Sequence, residues 1–214
     1  MKIKRKMELS KEIDKEMLKY MLKFAVVGAV GFGIGACIGN YIGMFDFALS
    51  GYNKGYMPPL EYVISLGLGG FILGYMFRDF KTAVKILFMM ALCTLIAFIV
   101  TEFVLGLIGA GIKFAYGLVG GFVMGLFLMR KRKSVILLIL MGLLANIIGL
   151  AITGYVCYTI EAPCPYDAHV NARCGAIVCP YTEVPYQMVV FGLIIGLTSG
   201  YLKYKAVMKN EQNV

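Results

Sequence analysis

Six long apolar stretches, separated by short polar segments, dominate this sequence. They cover approximately residues 24–45, 60–77, 86–106, 112–129, 135–156 and 187–202. A helix needs about 20 consecutive apolar residues to cross the roughly 30 Å hydrocarbon core of a bilayer. Charged residues make up only 15% of the chain, whereas a soluble domain carries roughly 25%. The sequence therefore predicts an all-α, polytopic transmembrane helix bundle with about six spans.

Little chain remains outside these spans for a separate soluble domain. Residues 1–23 carry apolar side chains at every fourth position of 9–21, with Lys and Glu between them. This pattern predicts an amphipathic helix that lies in the interface plane and leads into the first span; a frayed terminal tail is the alternative. We expect a six-span membrane domain over 24–206 and a short polar tail over 207–214.

Lysine and arginine distinguish the two sides of the predicted bundle. All 21 of them except Lys54, Lys113 and Arg173 lie in the N-terminal segment, in the turns after spans two and four, or after span six. Cytoplasmic loops of membrane proteins carry an excess of Lys and Arg. The sequence thus predicts a cell-membrane protein with both termini in the cytoplasm. Because orientation explains the net charge of +9, we expect no nucleic-acid partner.

Glycine recurs at every fourth position along several spans. The glycines expected to pack against other helices are Gly31, Gly35, Gly39 and Gly43 in span one, Gly70 and Gly74 in span two, Gly117, Gly121 and Gly125 in span four, and Gly192, Gly196 and Gly200 in span six. Such faces allow helix backbones to approach closely. They predict glycine-zipper packing inside the monomer. The alternative is contact with a second copy or a pore, and span one is then the best intermolecular face.

A short motif appears twice in the apolar sequence. Residues 69–74 read GGFILG and residues 120–125 read GGFVMG, and in both cases a basic turn and another apolar helix follow. Span six has similar glycine spacing before Lys203. The pattern predicts a parallel hairpin repeat, unlike the inverted repeats of many transporters. Chance resemblance between glycine-rich helices is the alternative.

The predicted outer loop over 157–185 is rich in cysteine. Its four cysteines are Cys157, Cys164, Cys174 and Cys179. In a loop outside the cytoplasm they favour two disulfide bonds, for which three connectivities exist. The alternatives are a metal site that includes His169 and a thiol-redox centre. Zinc sites favour closely spaced cysteine pairs, and no Cys-x-x-Cys pair is present, so we predict neither a metal nor another cofactor.

Few ionisable or amide side chains fall at membrane depth. Glu102 and Lys113 flank the glycine-rich turn between spans three and four, where we expect an ion pair; a proton or cation site at Glu102 is the alternative. Asn146 is expected to clamp a neighbouring helix rather than to bind substrate. Arg78 and Asp79 are expected to pair at the end of span two. Hydrogen bonds to their own helix backbone are expected for Thr94, Thr153, Thr198 and Ser199.

The sequence contains no recognisable catalytic set. It lacks the Gly-x-Ser-x-Gly and His-Glu-x-x-His motifs and a phosphate-binding glycine loop, so an enzyme is disfavoured. The favoured interpretation is a multi-pass integral membrane protein that acts as a structural or interaction subunit. Its expected partners are the lipid bilayer and a second copy or another membrane protein. The alternatives are a small transporter or channel with an ion site at Glu102, and a membrane thiol-redox protein that uses the cysteine loop.

Overall fold

The computed structural model describes the backbone of residues 2–50, 60–101, 110–129, 131–160 and 174–211, and the side chains of 15–42, 60–101, 114–129, 131–153 and 185–208. These ranges form six helices and no strand: α1 (Lys2–Ser50), α2 (Leu60–Phe77), α3 (Phe80–Ile99), α4 (Ala110–Leu128), α5 (Arg132–Ile160) and α6 (Cys174–Glu211). The predicted all-α polytopic bundle is confirmed.

Five helices contain a stretch that is long and apolar enough to cross a membrane. These stretches are Lys15–Ile42, Leu60–Phe77, Phe80–Ile99, Arg132–Thr153 and Pro185–Met208. In α4 the described apolar part, Phe114–Leu128, is shorter. Large apolar side chains are exposed at intervals of four along the bundle surface, for example Phe88, Leu92 and Ile96 of α3. Because water would not favour such a surface, these helices indicate a membrane location with lipid contact.

Several helices extend beyond the apolar stretches seen in the sequence. The 49 residues of α1 and the 38 of α6 correspond to about 74 Å and 57 Å, well above the roughly 30 Å of a hydrocarbon core. Residues 2–23 are the first part of α1, without a break before the span. Helices also occupy both ends of the predicted 157–185 loop. Hydropathy identifies the part of a helix that lipid solvates, whereas backbone hydrogen bonding continues past it.

The helices form a ring in chain order, closed by α6 against α1. In addition, α2, α4 and α6 contact one another. These three helices therefore form an inner triangle. The outer helices α1, α3 and α5 each pack against two of its members. Helices that follow each other in the chain thus alternate between the outside and the inside of the bundle.

The turn at 78–79 lies at one end of the bundle, together with Met129, Lys131, Lys203 and Lys205. We call this the basic end and the other the opposite end. At the basic end α3 begins after Asp79, whose carboxylate accepts the backbone N–H of Thr82 at 2.6 Å. Asp79 has extended backbone (φ −163°, ψ 166°), as an N-cap residue requires. This hydrogen bond holds the pKa of Asp79 below its ordinary value.

Candidate functional site

The glycines at every fourth position of α2 and α4 face the helix that follows each of them. A Cβ atom built at Gly70 or Gly74 would lie 2.9 Å or 2.7 Å from the side chain of Ile86 in α3. One built at Gly121 would collide with the backbone carbonyl of Leu138 in α5. Further along α4, a Cβ atom at Gly125 would lie 3.0 Å from the side chain of Val135. Close helix approach depends on these small residues.

The glycines of α6 face α1 in a comparable way. Cβ atoms built at Gly192 and Gly196 would collide with the backbone carbonyls of Gly28 and Phe24, and one built at Gly200 would lie 2.8 Å from the carbonyl of Tyr20. Each inner helix therefore places its glycines against the next helix around the ring, with α1 following α6. The three glycine patterns occupy corresponding positions in the bundle.

The glycine face of span one is covered within the chain. Cβ atoms built at Gly31, Gly35 and Gly39 would lie 3.1 Å, 3.0 Å and 2.8 Å from atoms of α2. This face is therefore occupied by α2 and does not offer a flat surface to a second copy. The surroundings of Gly43 lie outside the described residues. Gly117 of α4 is described, and a Cβ at Gly117 would lie 2.7 Å from Asn146 of α5.

Polar side chains from four helices meet toward the opposite end. The hydroxyl of Tyr62 (α2) donates to Oε1 of Gln187 (α6) at 2.8 Å, and Nε2 of Gln187 donates to Oδ1 of Asn146 (α5). The ring of Tyr116 (α4) lies 4.7 Å from that of Tyr62, centroid to centroid. All four side chains are buried. We call these four residues the polar layer.

Glycines provide the space for the two amides of the polar layer. A Cβ atom at Gly117 would lie 3.0 Å from Nδ2 of Asn146, and one at Gly149 would lie 3.1 Å from Cγ of Gln187. A buried amide without a partner is costly. Here the amides are paired with each other, so the arrangement joins α5 to α6 and, through Tyr62, α6 to α2.

An apolar section separates the polar layer from the basic end. One helical turn from the layer, a Cβ atom at Gly120 of α4 would lie 2.5 Å from the ring of Phe191 and 3.3 Å from Leu66. Another turn along, Met124 and Ile195 are fully buried. Polar groups reappear at the ends of α2 and α6, and Gln187 lies about 24 Å along α6 from Lys203 at 1.5 Å per residue.

Lys203 of α6 makes the main polar contact at the basic end. Its Nζ donates to the backbone carbonyls of Phe77, at 2.7 Å, and Met76, at 3.4 Å. The same nitrogen lies 5.0 Å from the ring centroid of Phe77 and 5.2 Å from that of Phe24 in α1. The last carbonyls of a helix lack partners within it and attract a cation. This group, the Lys203 contact, joins α6 to α2 and α1.

Arg78 and Asp79 make separate hydrogen bonds and do not form the pair expected from the sequence. Nη1 of Arg78 donates to the carbonyl of Phe127 in α4 at 3.3 Å, while Asp79 caps α3. Each charge thus lies where a helix end presents backbone groups of the complementary polarity. Lys203 thus joins α6 to the end of α2, and Arg78 joins the end of α2 to the end of α4.

Three of the four hydroxyl groups that were expected to bond to their own helix do so. Thr94, Thr153 and Thr198 donate to the carbonyl four residues earlier, at 2.6 Å, 2.7 Å and 2.9 Å. Ser199 is fully buried, and within the described residues its Oγ has no hydrogen-bond partner. It lies one turn from Lys203 on α6. Such a buried unpaired hydroxyl is uncommon.

Several residues singled out from the sequence lie outside the described part of the structure. Glu102, Cys164 and His169 are among them, as are the side chains of Lys113, Cys157, Cys174 and Cys179. The backbone of α6 nevertheless bears on the cysteines, because it includes both Cys174 and Cys179. Five helical positions span about 7.5 Å along the axis, whereas a disulfide needs Cα atoms within about 7 Å. The helical backbone therefore disfavours a disulfide between Cys174 and Cys179. Within the described residues, no three potential ligands are close enough to hold a metal.

Sequence reasoning identified one member of the polar layer, Asn146, and missed the rest. Tyr62 lies near the start of span two, where tyrosines of the membrane interface are common, yet it is 4% exposed because it packs against Tyr116 and bonds to Gln187. A usable signal was present, because Asn146 and Gln187 lie at similar distances along their helices from Lys133 and Lys203, the basic residues toward the basic end. Lys203 was interpreted only as a marker of sidedness.

Comparisons with known proteins give no relative. No family model, no curated protein and no solved structure matches the chain.

Proposed function

We propose that this multi-pass membrane protein is a structural or interaction subunit that packs through its glycine faces. The observation that carries the proposal is the pairing inside the polar layer. Asn146 and Gln187 are fully buried and bonded to each other, and the glycines beside them bring the helices into close contact. Polar side chains that line a water-filled path would instead be exposed to it. In this role the helices form a closed framework in the bilayer.

The proposed orientation places the basic end in the cytoplasm, together with both termini. Supporting it is the concentration of Lys and Arg at that end. The cysteine-rich segment then lies outside, where two disulfides are expected. The helical backbone of α6 favours the two connectivities that do not join Cys174 to Cys179. Mass analysis with and without reductant tests this: four masked thiols are expected, and four free thiols would instead favour the thiol-redox alternative.

A gradient assay tests the framework role. Liposomes that contain the full-length protein should retain proton and potassium gradients as well as protein-free liposomes do. Native mass spectrometry of the protein extracted from its own membrane tests the interaction role, for which a mass above that of one chain is expected. A leaky liposome contradicts the first part of the proposal, and a lone monomer contradicts the second.

A small transporter is the second candidate. It is favoured because polar side chains from four helices meet in the polar layer, next to the apolar section of the bundle. In this alternative, Glu102 supplies the ion or proton site. Flux into liposomes by the native protein, lost in Glu102→Gln and retained in an exposed control such as Lys205→Met, would establish this alternative over the framework.

A further inference from the structure

Two polar connections join α6 to α2, and they differ in their access to solvent. Toward the opposite end, Gln187 and Tyr62 are bonded through side chains that are both buried. At the basic end, Lys203 is half-buried and bonds to backbone carbonyls at the end of α2. Water can take the place of carbonyl acceptors at a helix end, whereas it has no access to the buried pair.

The packing of α1 differs between these two ends of the bundle. Its half toward the opposite end packs on α2, where a Cβ at Gly35 would lie 3.0 Å from Ser65 and one at Gly39 would lie 2.8 Å from Glu61. Toward the basic end it packs most closely on α6, through Gly28 and Phe24, while a Cβ at Gly31 would still lie 3.1 Å from Ile72 of α2. At the basic end, α1 and α6 are therefore a close pair. Nearest that end, side chains such as the rings of Phe24 and Phe77, whose centroids lie 5.7 Å apart, close the seam between this pair and α2.

We propose that the Lys203 contact is a releasable closure of the basic end of the bundle. When the ammonium group leaves the carbonyls of Phe77 and Met76, the α1–α6 pair separates from α2 at this end, while the polar layer keeps α6 attached to α2 at the other. The inference goes beyond the framework role, since it gives the bundle a second conformation.

Ser199 provides an independent observation on the same face of α6 as Lys203, since residues four apart in a helix share a face. Its hydroxyl is buried one turn deeper than Lys203 and lacks a hydrogen-bond partner among the described residues. Leaving such a group unpaired destabilises the closed state. Water that enters after release of Lys203 supplies the missing partner. The closed arrangement therefore contains both a contact that water can replace and a buried group that water stabilises.

Thiol labelling of a Ser199→Cys variant tests the closure. The full-length protein is placed in nanodiscs, a charged maleimide is added, and peptide mass spectrometry quantifies modification at position 199. Adding Lys203→Met is expected to raise the labelling rate about fivefold, the ratio that corresponds to about 1 kcal/mol of lost closing free energy. The matched control, Lys205→Met, removes an exposed lysine that lies 5.8 Å from the ring of Tyr201 and should leave the rate unchanged.

Two further variants separate local opening from general unfolding. Met188→Cys lies beside the polar layer and should stay unlabelled when Lys203→Met is added. Phe77→Leu keeps the backbone carbonyls but removes one ring from the Lys203 contact, so it should raise labelling at position 199 by a smaller factor. An unchanged rate in Lys203→Met, an equal increase in Lys205→Met, or labelling at position 188 overturns the proposal.

Discussion

The polar layer and the Lys203 contact both join α6 to α2, yet they use opposite chemistry. The polar layer consists of neutral amide and phenol groups that bond side chain to side chain out of reach of solvent. The Lys203 contact places a full charge on backbone carbonyls near the basic end. A charge is costly in hydrocarbon, whereas a paired amide is tolerated there. Depth in the bundle thus decides which polar group can hold two helices together.

The largest loss is expected from breaking the polar layer. Gln187→Leu leaves Asn146 and Tyr62 without their observed partner, and a buried polar group that loses its partner costs about 1–3 kcal/mol. Unfolding by SDS in mixed micelles measures the change in the free energy of unfolding. The double variant with Asn146→Leu should recover part of the loss, because it also removes the amide that has lost this hydrogen bond; a strictly additive result would show that the two amides do not interact.

A somewhat smaller loss is expected when the space for the amides is filled. Gly117→Ala places a methyl group 2.7 Å from Cβ of Asn146, and overpacking typically costs about 1–3 kcal/mol. The matched control is Gly67→Ala, where the new methyl group meets the flexible end of Leu87 at 3.1 Å. The same SDS titration should rank Gly117→Ala below Gly67→Ala in stability, and equal stability would contradict the role given to Gly117.

The Lys203 contact is expected to contribute less. Lys203→Met removes one cation from a helix end, which is worth about 0.3–1 kcal/mol at an exposed site. Lys205→Met should have no measurable effect in the same titration. A loss in Lys203→Met as large as that in Gln187→Leu would erase the distinction between the two regions.

The smallest effect is expected at Asp79, which lies outside both regions. The folded-state pKa of Asp79 is depressed, so its stabilisation is present above the unfolded-state pKa and is lost as pH falls through the folded value. Asp79→Ala should lower the melting temperature slightly at neutral pH and no longer do so in strong acid. Circular dichroism across this acidic range measures the difference, and a pH-independent difference would argue against the cap.

The sequence predicts the class of fold well because lipid selects for long apolar helices and for basic residues on one side. It predicts helix ends less well: α1 continues to Ser50 and α6 begins at Cys174, since hydrogen bonding does not stop where the apolar residues do. Glycine spacing identifies residues that approach other helices but not which helix they meet. Gly35, for example, packs on α2 rather than on another chain.

The polar layer could not be assembled from sequence, because its members are far apart in the chain. Tyr62 and Gln187 are separated by 125 positions, and only the ring of helices brings them together. Tyr62 also lies near a span end, where tyrosines of membrane proteins commonly face the interface. The burial of Tyr62 depends on Tyr116, which belongs to α4 and not to a helix next to α2 in the chain. Ser199 differs from Thr198 for a similar reason. Whether a buried hydroxyl finds a hydrogen-bond partner depends on its surroundings and not only on its residue type.

The closure of the ring by α6 against α1 has a consequence for biosynthesis. The surface of α1 that packs on α6 is uncovered until α6 has been synthesised, because the matching glycines belong to α6. A nascent chain that stops after α5 therefore exposes Gly28 and its neighbours to lipid. Assembly of this bundle requires α6, and we expect chains truncated after α5 to be removed by membrane proteases.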